Sequence, residues 1–217
     1  MSNNSAEQLA LWADQLRAMA AHGLRFVDNP YDEERYHKIT AIALDMLALA
    51  TGDTLADLEP LRDTVLSHTT PFAVGDAAVI DAQARMLLIR RADNGLWAMP
   101  GGALDVGETA AEGVVREALE ETGVTCEAVG LVGIFDSRFC GTKSRHHLYQ
   151  IIFLCRPRLD IPVVTASHVH EVLETAWFAE PELPAAVDID PGHISRIPIA
   201  FQVYRGERQP FFDGEPM

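Results

Sequence analysis

The stretch that most constrains this chain is residues 101–124. It opens Gly101-Gly102-Ala103-Leu104-Asp105-Val106-Gly107-Glu108 and closes Arg116-Glu117-Ala118-Leu119-Glu120-Glu121-Thr122-Gly123-Val124. Paired glycines let a backbone approach another group closely. Thr109 and Glu112 have capping-box spacing, so a helix starts just after the glycine loop. Glu117, Glu120 and Glu121 fall at i, i+3 and i+4, which turns all three carboxylates to one side. The other side carries Ala111, Val114, Val115 and Ala118, an apolar surface able to pack on a sheet. Like charges at this spacing repel by a few tenths of a kcal/mol per pair. Arg116, four residues before Glu120, offsets only part of that. An acidic helix face by itself is usually a solvated one. Beside a glycine loop it has a second use, because hard cations such as Mg²⁺ prefer carboxylate and carbonyl oxygens. A bound divalent cation neutralises diphosphate oxygens and lowers the pKa of a bound water. That chemistry fits phosphoryl or nucleotidyl transfer to water, where positioning and electrostatics do most of the work.

Charge narrows the function further. The 217 residues carry a formal net charge of -15. Binding nucleic acid needs a basic patch to replace counterions, and anionic lipid makes the same demand. A small anionic substrate remains compatible when a cation inverts the local field. The three cysteines, Cys126, Cys140 and Cys155, match no zinc spacing and read as free thiols of a reducing compartment. Met1 to Glu7 lacks the basic and apolar segments of a signal peptide. No run reaches the ~20 apolar residues of a membrane span. The expectation is a cytoplasmic protein with neither nucleic-acid nor membrane partners.

Periodicity divides the chain. Leu9, Trp12, Leu16 and Met19 form one helical stripe, stopped at Gly23. Asn29-Pro30 reads as an N-cap with proline at the first helical position. Ile39, Ile42, Met46 and Leu49 make a second stripe, closed by Gly52. A third short helix is predicted from Thr54 to about Leu66. Ser67 to Pro71 reads as a linker, giving a helical domain over 1–67 and a second domain over 68–217. In the latter, Phe72–Ile80 and Met86–Arg90 flank a turn and predict a hairpin. A helix over Thr109–Thr122 follows. Strands are predicted over Glu127–Phe135, Leu148–Cys155 and Val172–Phe178, and a closing helix over His193–Tyr204. Strands mixed with helices predict a layered α+β fold.

The full spacing from Gly102 to Val124 resembles the Nudix box, with every charged position present. Leu96-Trp97-Ala98-Met99-Pro100-Gly101 before it and Glu174-Thr175-Ala176-Trp177-Phe178 after it are similar to the family's surroundings. The resemblance implies an α/β/α sandwich with a mixed sheet. It also implies that Glu117, Glu120 and Glu121, with the carbonyl of Gly101, hold Mg²⁺, Mn²⁺ being the alternative. Arg116 and Glu108 would orient those glutamates. The general base would be a box glutamate or a later carboxylate, Glu171 first and Glu174 next. Trp12-Ala13, Gln15-Leu16 and Asn29-Pro30-Tyr31-Asp32 resemble the helical domain that precedes Nudix domains in hydrolases of nucleoside diphosphates linked to another group. Cytidine-diphosphate-choline and adenosine-diphosphate-ribose are the substrate types this implies. Position 139, about fifteen residues past the box, is Phe where many adenosine-diphosphate-ribose hydrolases carry proline. The extended motif of dinucleotide hydrolases is absent. A nucleoside-triphosphate sanitiser and a non-catalytic nucleotide sensor are the competing functions.

Other residues carry weaker signals. Trp97 serves either to stack on a base or to fill the core. Phe135 and Arg138 are candidates to line the substrate cleft, with Arg138 able to pair with a phosphate. His146-His147 reads as structural or solvent-facing rather than as a metal site. His168 and His170 alternate before Glu171 and share a face with it only in an extended segment. The two helical stripes need burial against something: a dimerisation element, a lid on the cleft and simple packing are the readings, and a homodimer is the preferred one.

Overall fold

The computed structural model describes residues 3–61, 71–139, 141, 147–158 and 160–214. Residues 62–66 of the expected third helix, most of the expected linker, Cys140 and His146 lie outside the described residues. The chain separates into two compact units, Met1–Thr70 with Asp105–Gly107, and Pro71–Leu104 with Glu108–Met217.

The first unit is an antiparallel helical hairpin of α1 (Asn3–Phe26) and α2 (Pro30–Thr51), followed by the short α3 (Leu55–Leu61). Asn29 caps α2 by accepting the Asp32 N–H at 2.9 Å, and Gly52 closes it in the left-handed conformation. Gly23 does not stop α1. A Cβ there would stand 2.3 Å from the Tyr36 ring, so this glycine admits α2 rather than ending α1. The hairpin seam also differs from the expected stripes. Ala13, Ala20, Ala43 and Leu44 are the buried residues, while Trp12, Met19, Ile42 and Leu49 stay exposed. Small side chains let the two backbones come close and leave the large ones outside.

The second unit is built on two sheets. Its elements are β1 (Phe72–Val79), β2 (Arg85–Arg91), β3 (Trp97–Ala98), β4 (Gly101–Ala103), α4 (Ala110–Thr122), β5 (Cys126–Asp136), β6 (Leu148–Pro157), β7 (Val172–Ala179), α5 (Arg196–Tyr204) and β8 (Phe211–Phe212). The larger sheet has the order β4-β1-β6-β5-β8 and the smaller β3-β2-β7. The larger sheet is mixed: β1 runs parallel to β6 and antiparallel to β4. The Asp81 turn forms as expected, its carboxylate accepting the Gln83 and Arg85 N–H groups at 2.9 Å each. The expected hairpin does not. Beyond one bridge between Ile80 and Met86, β1 and β2 part into different sheets. Both edges of β1 are already filled, by β4 and β6. The strands β3, β4 and β8, two or three residues each, were too short to show a period.

Alternation along the strands makes the layers. Ala77, Val79 and Leu87 face one way and pack with Val114 and Ala118 of α4. Ala78, Ile80, Met86 and Leu88 face the other way and pack with Ile197, Ala200 and Phe201 of α5. The result is an α/β/α arrangement in which α4 packs on one face, against β1, β2, β5 and β6.

Candidate active site

The loop-to-helix junction forms as the sequence predicts. Thr109 and Glu112 close the capping box reciprocally, and Gly123 ends α4 in the left-handed conformation. Thirteen helical residues then carry the acidic cluster, and Arg116 organises it. Its guanidinium donates to Glu108 through Nε at 3.0 Å and Nη2 at 2.8 Å. It also donates to Glu117 and Glu120 at 2.9 Å each, and to the Ala103 carbonyl at 3.2 Å. Glu108 first, then the other two carboxylates, raises the arginine's pKa. The repulsion expected between the glutamates is answered by one planar cation.

The three box glutamates do not act as one exposed row. Glu117 and Glu121 are buried and Glu120 is half-buried. Burial is the main cause raising the Glu117 pKa, opposed by Arg116. Glu117 lies against the loop so closely that a Cβ on Gly102 would meet its carboxylate at 2.8 Å. Glu121 turns inward and accepts the Gly101 N–H at 2.8 Å. Burial pushes its carboxyl up to about 8, assisted by the charges of Glu117 and Glu171. Gly101 thus serves as an N–H donor here as well as lining the cleft.

A residue that sequence reasoning set aside joins the cluster. Glu117, Glu120 and His168 each bring one ligand atom within 4.8 Å of the others, a spacing that suits one small cation. With the remaining oxygen of each glutamate, the donor set fits a divalent metal. His168 arrives from a loop forty-odd positions along the chain, so helical spacing gives no hint of it.

Beside this cluster opens a cleft of about 1020 Å³. Gly101, Gly102, Glu121 and Glu171 lie on its wall, with Arg91, Asp76, Gln150 and His193. Glu171 is exposed. The Arg91 guanidinium is held by Asp93 at 3.0 and 2.8 Å. The cleft has a buried polar floor. Asp76 accepts from Gln150 at 2.8 Å, and the His193 imidazole accepts the Met99 N–H at 3.4 Å. Burial raises the Asp76 pKa and lowers that of His193. Beneath the floor and outside the cleft lining, the fully buried guanidinium of Arg196 sits 5.2 Å from the Phe135 ring without a hydrogen-bond partner among the described residues. None of these floor residues carries a sequence signal, since strands and a loop far apart bring them together.

The expected substrate contacts are placed differently. Phe135 is in the core, stacked on Phe211 at 4.8 Å. Arg138 is spent on Asp136, and its guanidinium lies over Phe139. Trp97 is half-buried, edge-on to Phe178 at 5.0 Å, and packs against the core. None of the three lines the cleft. Glu174 lies 3.9 Å from Arg90 across the smaller sheet. Cys126 and Cys155 are buried free thiols.

Comparison with known proteins agrees with this geometry. Residues 70–198 match the NUDIX domain family, and residues 7–61 match the UDP-X-like, N-terminal oligomerisation domain. The chain is 30% identical over 176 residues to the Bacillus subtilis (strain 168) protein named "Putative ADP-ribose pyrophosphatase YjhB", covering 79% of this chain and 81% of that one. Among solved structures, the UDP-X diphosphatase matches 96% of this chain and 99% of its own, with TM-score 0.60 and 23% identity, a likeness of fold. An ADP-ribose pyrophosphatase from Streptococcus suis 89-1591 matches 64% of this chain and 96% of its own, with TM-score 0.53 and 27% identity. With the box helix formed and the domain matched along most of its length, the chain belongs to the Nudix family and is a diphosphate hydrolase of that family.

Proposed function

We propose that this enzyme hydrolyses the diphosphate linkage of a nucleoside diphosphate joined to another group, releasing a nucleoside monophosphate and a phosphorylated remainder. The observation that carries the reading is the adjacency of the Glu117–Glu120–His168 cluster to a polar-floored cleft. At about 1020 Å³ the cleft is at the upper end of ordinary ligand pockets, which run to roughly 1,000 Å³. That size suits a two-part ligand better than a small phosphate. The named relatives add support: the Bacillus subtilis protein named as an ADP-ribose pyrophosphatase and the Streptococcus suis ADP-ribose pyrophosphatase.

A bound Mg²⁺ or Mn²⁺ would supply charge neutralisation for the diphosphate and acidify a water. The protein's own groups do the rest. Glu117 and Glu120 hold the cation, and Arg116 with Glu108 fixes their rotamers. Arg91 faces the diphosphate from the cleft wall. Glu171, exposed on that wall, takes the proton of the attacking water. Asp76, Gln150 and His193 offer donors and acceptors to the base. The free thiols suit a reducing, cytoplasmic setting.

The test is product analysis with Mg²⁺ and, separately, Mn²⁺. Substrates are ADP-ribose, CDP-choline, a UDP-sugar and nucleoside triphosphates. Nucleoside monophosphate from a diphosphate-linked compound, abolished by chelator, is the expected outcome. Pyrophosphate release from triphosphates alone would establish a sanitiser instead. Tight binding without turnover would establish a sensor.

A further inference from the structure

We propose that His168 is a ligand of the cation that Glu117 and Glu120 hold, making the site an oxygen–nitrogen site rather than an all-oxygen one. The proposal rests on the reading that these glutamates bind a cation.

The backbone places His168 independently of its side chain. The last turn of α4 leaves carbonyls without helical partners. Residues 160–171 supply donors at this end: His168 N–H donates to the Glu120 carbonyl at 2.9 Å, and Val164 N–H to the carbonyl of the capping Gly123 at 3.0 Å. Glu171 N–H then donates back to the His168 carbonyl at 2.9 Å, tightening the turn. The imidazole is thereby fixed beside the very glutamate whose carbonyl holds its backbone.

Two observations then separate this histidine from an ordinary surface one. Its Nδ1 lies 3.9 Å from Glu120 Oε2, beyond hydrogen-bond length. Two ligands each about 2.1 Å from one cation stand about 3.0 Å apart at right angles and about 4.2 Å apart when opposite. The observed separation falls between those limits. The same Nδ1 is buried and has no hydrogen-bond partner among the described residues, although the ring as a whole is about one-third exposed. A covered ring nitrogen without a partner costs free energy unless something fills the gap. Glu117 and Glu120 each bring a carboxylate oxygen within 4.8 Å of a ring nitrogen of His168.

The chemical consequence is selectivity. Carboxylate oxygens suit Mg²⁺, whereas imidazole suits transition-metal cations. One nitrogen among the donors favours later cations such as Co²⁺ or Zn²⁺ most, and Mn²⁺ over Mg²⁺ less strongly. A protonated imidazole paired only with Glu120 would give no such shift.

Mn²⁺ is the probe, because its electron spin reports directly bonded nitrogen. Electron spin-echo modulation of the Mn²⁺-loaded full-length protein should show ¹⁴N coupling. Labelling histidine with ¹⁵N should change the coupling, and His168→Gln should abolish it. The same variant should weaken Mn²⁺ binding by roughly tenfold or more, using the effect of lost metal-site partners as a lower bound. Mg²⁺ binding, measured by competition, should change less. Mn²⁺ bound without nitrogen coupling in the unsubstituted protein would overturn the proposal and leave the glutamate site standing. Coupling that persists in His168→Gln would overturn it in favour of another histidine. Absence of Mn²⁺ binding altogether would overturn both the proposal and the glutamate site. The first reading uses the unsubstituted protein, so misfolding of the variant cannot hide the answer.

Discussion

Arg116 donates to three carboxylates and a carbonyl, and no other residue type can do this from one position. Lysine has the charge but not the planar fork. Arg116→Lys should therefore release at least one glutamate and lower divalent-metal affinity by about 10- to 100-fold. A Mn²⁺ titration checks this, and unchanged affinity would show that the glutamates hold their positions without the fork. At this scale the sequence was partly legible. The i, i+4 spacing correctly placed Arg116 beside Glu120, and the box spacing placed Glu108 near it. Spacing could not show that Glu121 turns inward, because a single N–H on Gly101, twenty residues away, captures it. Phe135 was misplaced for a different reason. The pairing of β5 shifts register between Ala128 and Gly130 and again between Leu131 and Gly133. Each shift changes which face a residue takes, so alternation alone cannot say whether Phe135 meets ligand or core.

Among elements, α4 matters most, since one helix carries the acidic cluster and fills one layer. Its N-terminus depends on Thr109, whose hydroxyl accepts the Glu112 N–H at 3.2 Å while the Glu112 carboxylate accepts the Thr109 N–H at 2.8 Å. Thr109→Ala removes the hydroxyl's half of that exchange. It should destabilise the second unit by about 1 kcal/mol, the usual cost of a lost cap. Urea denaturation followed by intrinsic fluorescence measures it, and no change in midpoint would mean that packing on the sheet alone sets the start of α4. Helices and long strands were legible because their periods extend over many residues. The splitting of β1 and β2 was not. A turn signal such as Asp81 to Ala84 states that the chain reverses, but which edges the two strands then find is settled by β6 and β7, both more than sixty residues away.

At the scale of the whole molecule, the helical unit has left large apolar surface uncovered. Trp12 is 51% exposed, Met19 64%, Ile42 53% and Leu49 65%. These are four of the eight residues in the two stripes that the sequence marked for burial, and the hairpin seam uses alanines instead. Burying such a side chain fully stabilises by roughly 1.5–3 kcal/mol, so leaving four exposed is costly unless a partner covers them. A second copy is the simplest cover, because a two-fold axis presents the same patch to itself. The match of residues 7–61 to an oligomerisation domain points the same way. Light scattering on the full chain should give twice 23.8 kDa at micromolar concentration. Replacing Trp12 and Leu49 together by Glu should return the single-chain mass while far-ultraviolet dichroism stays unchanged, since neither residue belongs to the buried seam. A single-chain mass for the unsubstituted protein would mean that the exposed stripe is covered by something other than a second copy.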